Sequence, residues 1–377
     1  RRQRQMCIRD RDKKELETLI TNGIESTRYL AVDESRMLAD PARYYKGGKP
    51  DLQLFDKKLY EVNPDDKVAI ARAAAEEVLG KDERIISVDS SYSDGEGSSY
   101  RLISNGFEGE SKSTWFSVSA SVSIKGEGEA RPQDYWYDSA LFYDKLTKTG
   151  IGAKALERVL RKLGQKKAKS GKYTMVVDPM NVGNLLSPML SALYGSALQQ
   201  KNSFLMDKLD TKVASDLFTL RDEPHAIGAN GSRYFDNEGV ATEPRTVFDK
   251  GVLKTYFIDT YNGKKMDIAP TISAPSRLIL TPGDKDLNGL VADIKQGILV
   301  TGFNGGNSNS STGDFSYGIE GFLIEDGKLT QPVNEMNVTG NMVTLWNSLV
   351  AVGNDPQPNR SWQIPSLVFE GVDFSGL

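Results

Sequence analysis

The clearest pattern in the chain lies at residues 114–125, where Phe116, Val118, Ala120, Val122 and Ile124 alternate with Ser117, Ser119, Ser121 and Ser123. A strict period of two predicts a strand with one buried and one wet face. Shorter strand-like runs occupy residues 84–91, 98–105 and 173–177. Helical spacing marks residues 13–20, 30–39 and 151–163. A further helix is expected through Leu79, because Asn63 or Asp66 can cap it, Pro64 suits a first turn and Gly80 supplies a stop.

Residues 179–200 carry no charge and would be long enough to cross a bilayer. Asn181, Asn184, Pro188, Ser191 and Gln199 in that run argue instead for a soluble helix over 184–200, with Leu186, Met189, Leu190, Leu193 and Ala197 on its buried face. Asp249-Lys250-Gly251 and Asp326-Gly327 sit between strand-like runs and read as tight hairpin turns. Residues 302–312 are almost wholly Gly, Asn, Ser and Thr and read as a long loop. The basic run 162–172 reads as a solvated linker, and its stretch 165–172 divides the chain. The expected fold class is therefore α+β in two domains: a mixed N-terminal domain over 12–164, and a C-terminal domain over 165–377 rich in antiparallel strands around a buried helix.

Composition changes this picture at the N-terminus. Residues 1–11 match the translation of a transposase adapter used in preparing sequencing libraries, so the expectation is an artefact followed by a 5′-truncated gene fragment. Setting aside four basic residues and one acidic residue in the first ten takes the 47 Lys and Arg to 43 and the 51 Asp and Glu to 50, a net of −7. So acidic a chain has no overall electrostatic footprint for nucleic acid. The single cysteine, Cys7, also falls in the adapter, which leaves no thiol for a disulfide, a nucleophile or a metal.

The inventory of reactive residues is equally restrictive. His225 is the one imidazole, too few for a histidine-rich zinc site. No Gly-x-Ser-x-Gly turn is present to raise a serine nucleophile. Gly305-Gly306-Asn307-Ser308 lacks both the Lys-Ser/Thr ending of a phosphate loop and the spacing of a dinucleotide fingerprint.

The last third contains Val300-Thr301-Gly302, then Ser311-Thr312-Gly313-Asp314-Phe315-Ser316-Tyr317-Gly318-Ile319-Glu320-Gly321-Phe322, then Gln331-Pro332-Val333 and Val352-Gly353-Asn354-Asp355. With Phe235-Asp236-Asn237-Glu238-Gly239-Val240, Asp249-Lys250-Gly251-Val252-Leu253 and Asn105-Gly106-Phe107-Glu108-Gly109 upstream, this resembles the TldD/PmbA family. The resemblance implies peptide processing, and it implies two branches. TldD-type members carry His-Glu-x-x-x-His on a helix with a distal cysteine, and PmbA-type members, also called TldE, lack them and pair with the catalytic branch. Here the corresponding helix reads Asn-Leu-Leu-Ser-Pro-Met-Leu-Ser-Ala-Leu-Tyr from Asn184, and the C-terminal segment reads Asn359-Arg360-Ser361-Trp362-Gln363-Ile364-Pro365, without a ligand in either.

The expectation is a PmbA/TldE-type subunit with no catalytic residue and no cofactor of its own, zinc being held only by a TldD-type partner. Its substrates would be small or unfolded peptides, in the cytoplasm, with no direct nucleic-acid contact and no membrane span. Ser187, Ser191, Tyr194, Asn307, Ser311 and Asp314 are the residues expected to face peptide or partner. Two other readings stay open: a stand-alone hydrolase built on carboxylates and His225, and a module that regulates a partner such as gyrase.

Overall fold

The computed structural model describes residues 13–377, so the expected adapter segment 1–11 lies outside the described residues. The chain divides into two units, 1–37 and 38–377. In the first, helix α1 (Lys13–Thr27) is longer than the sequence pattern predicts, and Leu16, Leu19, Ile20 and Ile24 on it are exposed. The helix expected at 30–39 does not form. Asp33 instead closes a local turn, accepting the N–H of Ser35 on its side chain at 3.1 Å and that of Arg36 on its carbonyl at 2.9 Å. This is the competition that short polar side chains offer a helix.

The second unit begins with an irregular segment that leads to α2 (Pro64–Glu76). Asn63 caps this helix by accepting the Asp66 N–H, and Gly80 follows at φ +73°. Strands β1 (Ile85–Ile103), β2 (Phe107–Ile124) and β3 (Gln133–Ala140) form an antiparallel sheet. The alternation in β2 is realised residue by residue: Phe116, Val118, Ala120, Val122 and Ile124 are buried against α2 and α3 (Ile151–Leu160). Residues 92–97, which divide two predicted strands, are paired throughout with β2 as part of one 19-residue β1. On the wet face, serine pairs hydrogen-bond across the strands: Ser87 with Ser123, Ser91 with Ser119 and Ser99 with Ser111. Cross-strand hydroxyl pairs stabilise a sheet whose sequence shows little hydrophobic patterning there.

A second set of strands builds a barrel. Its order is β11 (Lys328–Asn341), β10 (Asp314–Glu325), β9 (Gln296–Ser308), β4 (Gly171–Val177) and β14 (Leu367–Ser375), with β14 returning to β11 through Val338 and Phe374 and β12 (Leu349–Val352) added to β14. Met175, Val177, Ile298 and Val300 enter the main core, whereas the alternate residues Val176 and Leu299 pack against α7 (Leu287–Ala292), which follows the short α6 (Thr260–Met266) in the chain. A smaller five-stranded sheet comprises β13 (Trp362–Gln363), β8 (Leu278–Leu280), β5 (Leu220–Asp222), β6 (Arg245–Asp249) and β7 (Val252–Leu253). Both predicted hairpin turns are present, Lys250 and Gly251 having φ of +46° and +77° and Asp326 and Gly327 +46° and +75°.

Two expectations are corrected. The loop expected at 302–312 is mostly strand, since β9 runs to Ser308 and only 309–313 turn into β10. Gly306 makes this possible: at φ +93° its Cα lies so near the Ser316 carbonyl that a Cβ would stand 2.1 Å from that oxygen. The helix expected at 184–200 is broken into α4 (Gly183–Ser191) and α5 (Gly195–Gln199). Lys162 also departs from the solvated-linker reading. It is nearly buried, with Nζ 3.2 Å from Asp134 on β3 and 2.7 Å from Glu320 on β10.

Candidate functional site

The break between α4 and α5 has a definite cause. Phe257 donates its N–H to Leu193 O at 2.9 Å and accepts the Gly195 N–H on its own carbonyl at 2.7 Å. This exchange draws Tyr194 into an extended conformation and ends the intrahelical bonding. Leu185, Leu186, Met189 and Leu190 point into the core, leaving Ser187 and Ser191 exposed. Tyr194 is half-buried with its ring 5.9 Å from that of Phe257. Burial pushes its phenol up, and the nearby Arg233 guanidinium opposes that shift.

The turn before β10 meets the chain just beyond α5. Ser310 and Ser311 donate their hydroxyls to Asn202 Oδ1 at 2.7 and 2.5 Å, and Ser310 O accepts the Phe204 N–H at 3.0 Å. Thus Ser311 is joined to the segment following the broken helix through Asn202, and Ser310 through both Asn202 and Phe204. Asp314 is occupied at the base of the turn, accepting from Thr312 Oγ1 at 2.7 Å and Asn341 Nδ2 at 2.9 Å, which holds its carboxyl below the usual range. Asn307 is exposed farther back along β9.

A cleft that sequence reasoning missed lies where the tip of the β1–β2 hairpin faces residues 45–54 and 232–237. It encloses 440 Å³. Tyr45 stacks on Tyr234 with centroids 5.1 Å apart, and Lys49 Nζ lies 5.5 Å above the Tyr234 ring. Arg101 and Glu110 line the hairpin side. Arg233 is fastened to Ser276 Oγ at 2.9 Å and to the Ala274 carbonyl at 2.8 Å. Asp236 is buried and accepts the N–H groups of Glu238, Val240 and Ser273. The only advance signal was indirect: the motif segments containing Asn105-Gly106-Phe107 and Phe235-Asp236 meet in space, with Phe107 and Phe235 ring centroids 5.1 Å apart.

These walls present stacked aromatic rings, cations and carboxylates to the cleft. His225 rests 5.0 Å from the Tyr234 ring, its Nε2 3.0 Å from Thr242 Oγ1. Because that hydroxyl gives its proton to Arg233 O at 2.5 Å, Nε2 is the protonated ring nitrogen. Burial, followed by the Lys49 charge, lowers its pKa, which favours the neutral ring. The donor set around α4 and α5 does not fit zinc, since residues 183–200 offer amides and hydroxyls but no imidazole, thiolate or carboxylate. Among the described residues, no group of three His, Cys, Asp or Glu could hold a metal ion. No described helix is long and apolar enough to cross a membrane.

Comparison with known proteins places these features in context. Residues 57–163 match the PmbA/TldA metallopeptidase central domain and residues 170–376 the C-terminal domain. A metalloprotease PmbA homologue of Haemophilus influenzae is 29% identical over 96% of this chain and 81% of its own. A TldD homologue of Buchnera aphidicola aligns with 53% of the chain, covering 44% of its own length, at 25% identity. Among solved structures, a candidate modulator of DNA gyrase from Bacteroides thetaiotaomicron superposes with a TM-score of 0.96 at 73% identity, covering 97% of this chain and 84% of that one. TldE from Thermococcus kodakarensis shares the fold at a TM-score of 0.79 and 22% identity, over 97% and 85% of the two chains.

Proposed function

The chain belongs to the PmbA/TldD metallopeptidase family, and from that premise we propose that it is a TldE-type subunit that supports peptide breakdown or maturation by a TldD-type partner. The observation carrying this reading is the α4–α5 segment. Where the resemblance puts a zinc-binding helix, this chain has an uncharged helix interrupted at Tyr194. Activation of water by zinc needs ligands and a carboxylate to move its proton, and this segment supplies neither. Zinc is therefore assigned to the partner alone.

Ser187, Ser191, Tyr194, Asn307, Ser311 and Asp314 are proposed to face the partner or its substrate, which is a small or unfolded peptide. Backbone donors and acceptors on the β9–β10 ribbon suit an extended chain. Neither nucleic acid nor a membrane is a proposed partner, and the proposed setting is the cytoplasm.

The test combines metal analysis with reconstitution. The purified chain should contain no stoichiometric zinc, and cleavage of an unfolded peptide should rise when it is mixed with a TldD-type chain encoded beside it. Tyr194→Ala, or alanine at Asn307 through Ser311, should reduce that gain. One tightly held zinc per chain lost on His225→Ala, chelator-sensitive cleavage by this chain alone, or a mixture no more active than the partner would each overturn the reading.

A further inference from the structure

A second cleft, of 600 Å³, opens between α3 and the barrel and shares none of the residues discussed above as facing the partner. Its wall combines three kinds of group. Met180, Leu287, Val291, Leu299 and Leu329 form an apolar lining. Lys154 and Arg158 enter from α3 and Arg161 from its C-cap, where spacings of four and three place them on one face, and Lys328 enters from the start of β11. Asp178, just past the end of β4, is a buried carboxylate in the same wall.

Existing contacts decide which of these groups remain available. Arg158 Nε is held 3.2 Å from the nearly buried Asp134, and Lys154 is 2.8 Å from Glu157. Asp286 is occupied in capping α7 through the Gly289 N–H, and Asp355 accepts from Ser366 and from the Leu287 N–H. Arg161, in contrast, is 3.7 Å from Glu157, its guanidinium resting 4.6 Å from the Phe322 ring centroid. Lys328 pairs with no carboxylate among the described residues. Asp178 Oδ1 accepts both the N–H and the Nδ2–H of Asn181, at 3.0 and 2.7 Å, yet burial still pushes this carboxyl up. Such a group is stabilised by any further donor that enters the cleft.

We infer that this cleft binds the C-terminal end of a peptide whose last side chain is apolar. The terminal carboxylate lies with Arg161 and Lys328, the side chain covers Leu287, Val291 and Leu329, and the last amide N–H is donated to Asp178. A bidentate guanidinium is well matched to a planar carboxylate, and the apolar lining discriminates among terminal residues. The site requires neither the proposed partner nor the α4–α5 surface, so it stands or falls separately from the subunit role.

The experiment is calorimetric titration of the full chain with N-acetyl-leucyl-leucine, with the same compound as its C-terminal amide, and with inorganic phosphate. The free acid should bind at least tenfold more tightly than the amide, and phosphate should not displace it at equal concentration. Arg161→Gln and Lys328→Gln should each weaken the acid fivefold or more while Lys250→Gln, in the remote hairpin turn, leaves it unchanged. Asp178→Asn should weaken acid and amide alike; if it fails to fold, the Arg161 and Lys328 variants decide the matter. Equal binding of acid and amide, displacement by phosphate, indifference to both cation variants, or no binding at millimolar acid would overturn the inference.

Discussion

His225 shows how a residue with several sequence-level roles is narrowed by its surroundings. Its ring is half-buried, hydrogen-bonded to Thr242 and beside Lys49, so its pKa in the folded chain lies below the ordinary 6.5. The unfolded chain then takes up the proton first. The folded state loses stability as pH falls below about 6.5 toward the folded pKa, and the ring contributes no such loss above that range. As the one histidine, it gives an unambiguous proton-resonance titration, whose midpoint should lie below 6.5 and return to about 6.5 in denaturing urea. A folded-state midpoint above 6.5 would contradict the burial argument. Gly306 carries a sharper prediction. Alanine there meets the Ser316 carbonyl at 2.1 Å as well as a positive φ, and should cost roughly 2–4 kcal/mol. Alanine at neighbouring Gly305, with φ +75° and open space around it, should cost only about 1–2 kcal/mol. Urea denaturation of the two variants separates collision from backbone strain.

At the scale of elements, Lys162 ties the first sheet to the barrel. Its ammonium lies between Asp134 and Glu320, all three side chains being at most 16% exposed. Lys162→Met leaves Glu320 without its counter-ion and Asp134 with Arg158 alone, and should destabilise the chain by about 3 kcal/mol. Lys154→Met, which breaks a solvated pair with Glu157, should stay within about 0.5 kcal/mol. Equal effects in chemical denaturation would show that the buried pair does not join the layers. The interrupted helix illustrates the same dependence on distant chain. Leu186, Met189, Leu190 and Leu193 keep their helical spacing and are buried, but Phe257, far along the sequence, determines where α4 stops.

Across the whole molecule, closure of the barrel depends on its last strand, because Val338 pairs with Phe374 and buried Val372 completes the same stretch. Truncation after Gly371 removes both buried side chains together with the closing hydrogen bonds. The truncated chain should lose its cooperative urea transition, since core truncations of about 2–5 kcal/mol each approach the whole stability of a domain; a retained transition would mean that the barrel closes without that strand. The sequence by itself determined the α+β class, the capped α2, the amphipathic α3, the alternating face of β2, both hairpin turns and, through ordered motifs, the family. These signals rest on periods of 2 and 3.6 residues and on turn and cap chemistry, all local in the chain. Tertiary structure alone decided that glycine-rich β9 is a strand, that serine-lined β1 is continuous, that α4 and α5 are separate, and that Lys162 is buried. Each is imposed by a contact outside the local pattern: the adjoining hairpin strand for β9 and β1, and the distant Phe257 and Glu320 for the helix break and for Lys162. The two clefts are likewise assembled from separate segments, 45–54, 99–112 and 232–237 in one and 136–180, 286–301, 327–329 and 355–357 in the other, which no local pattern can reveal.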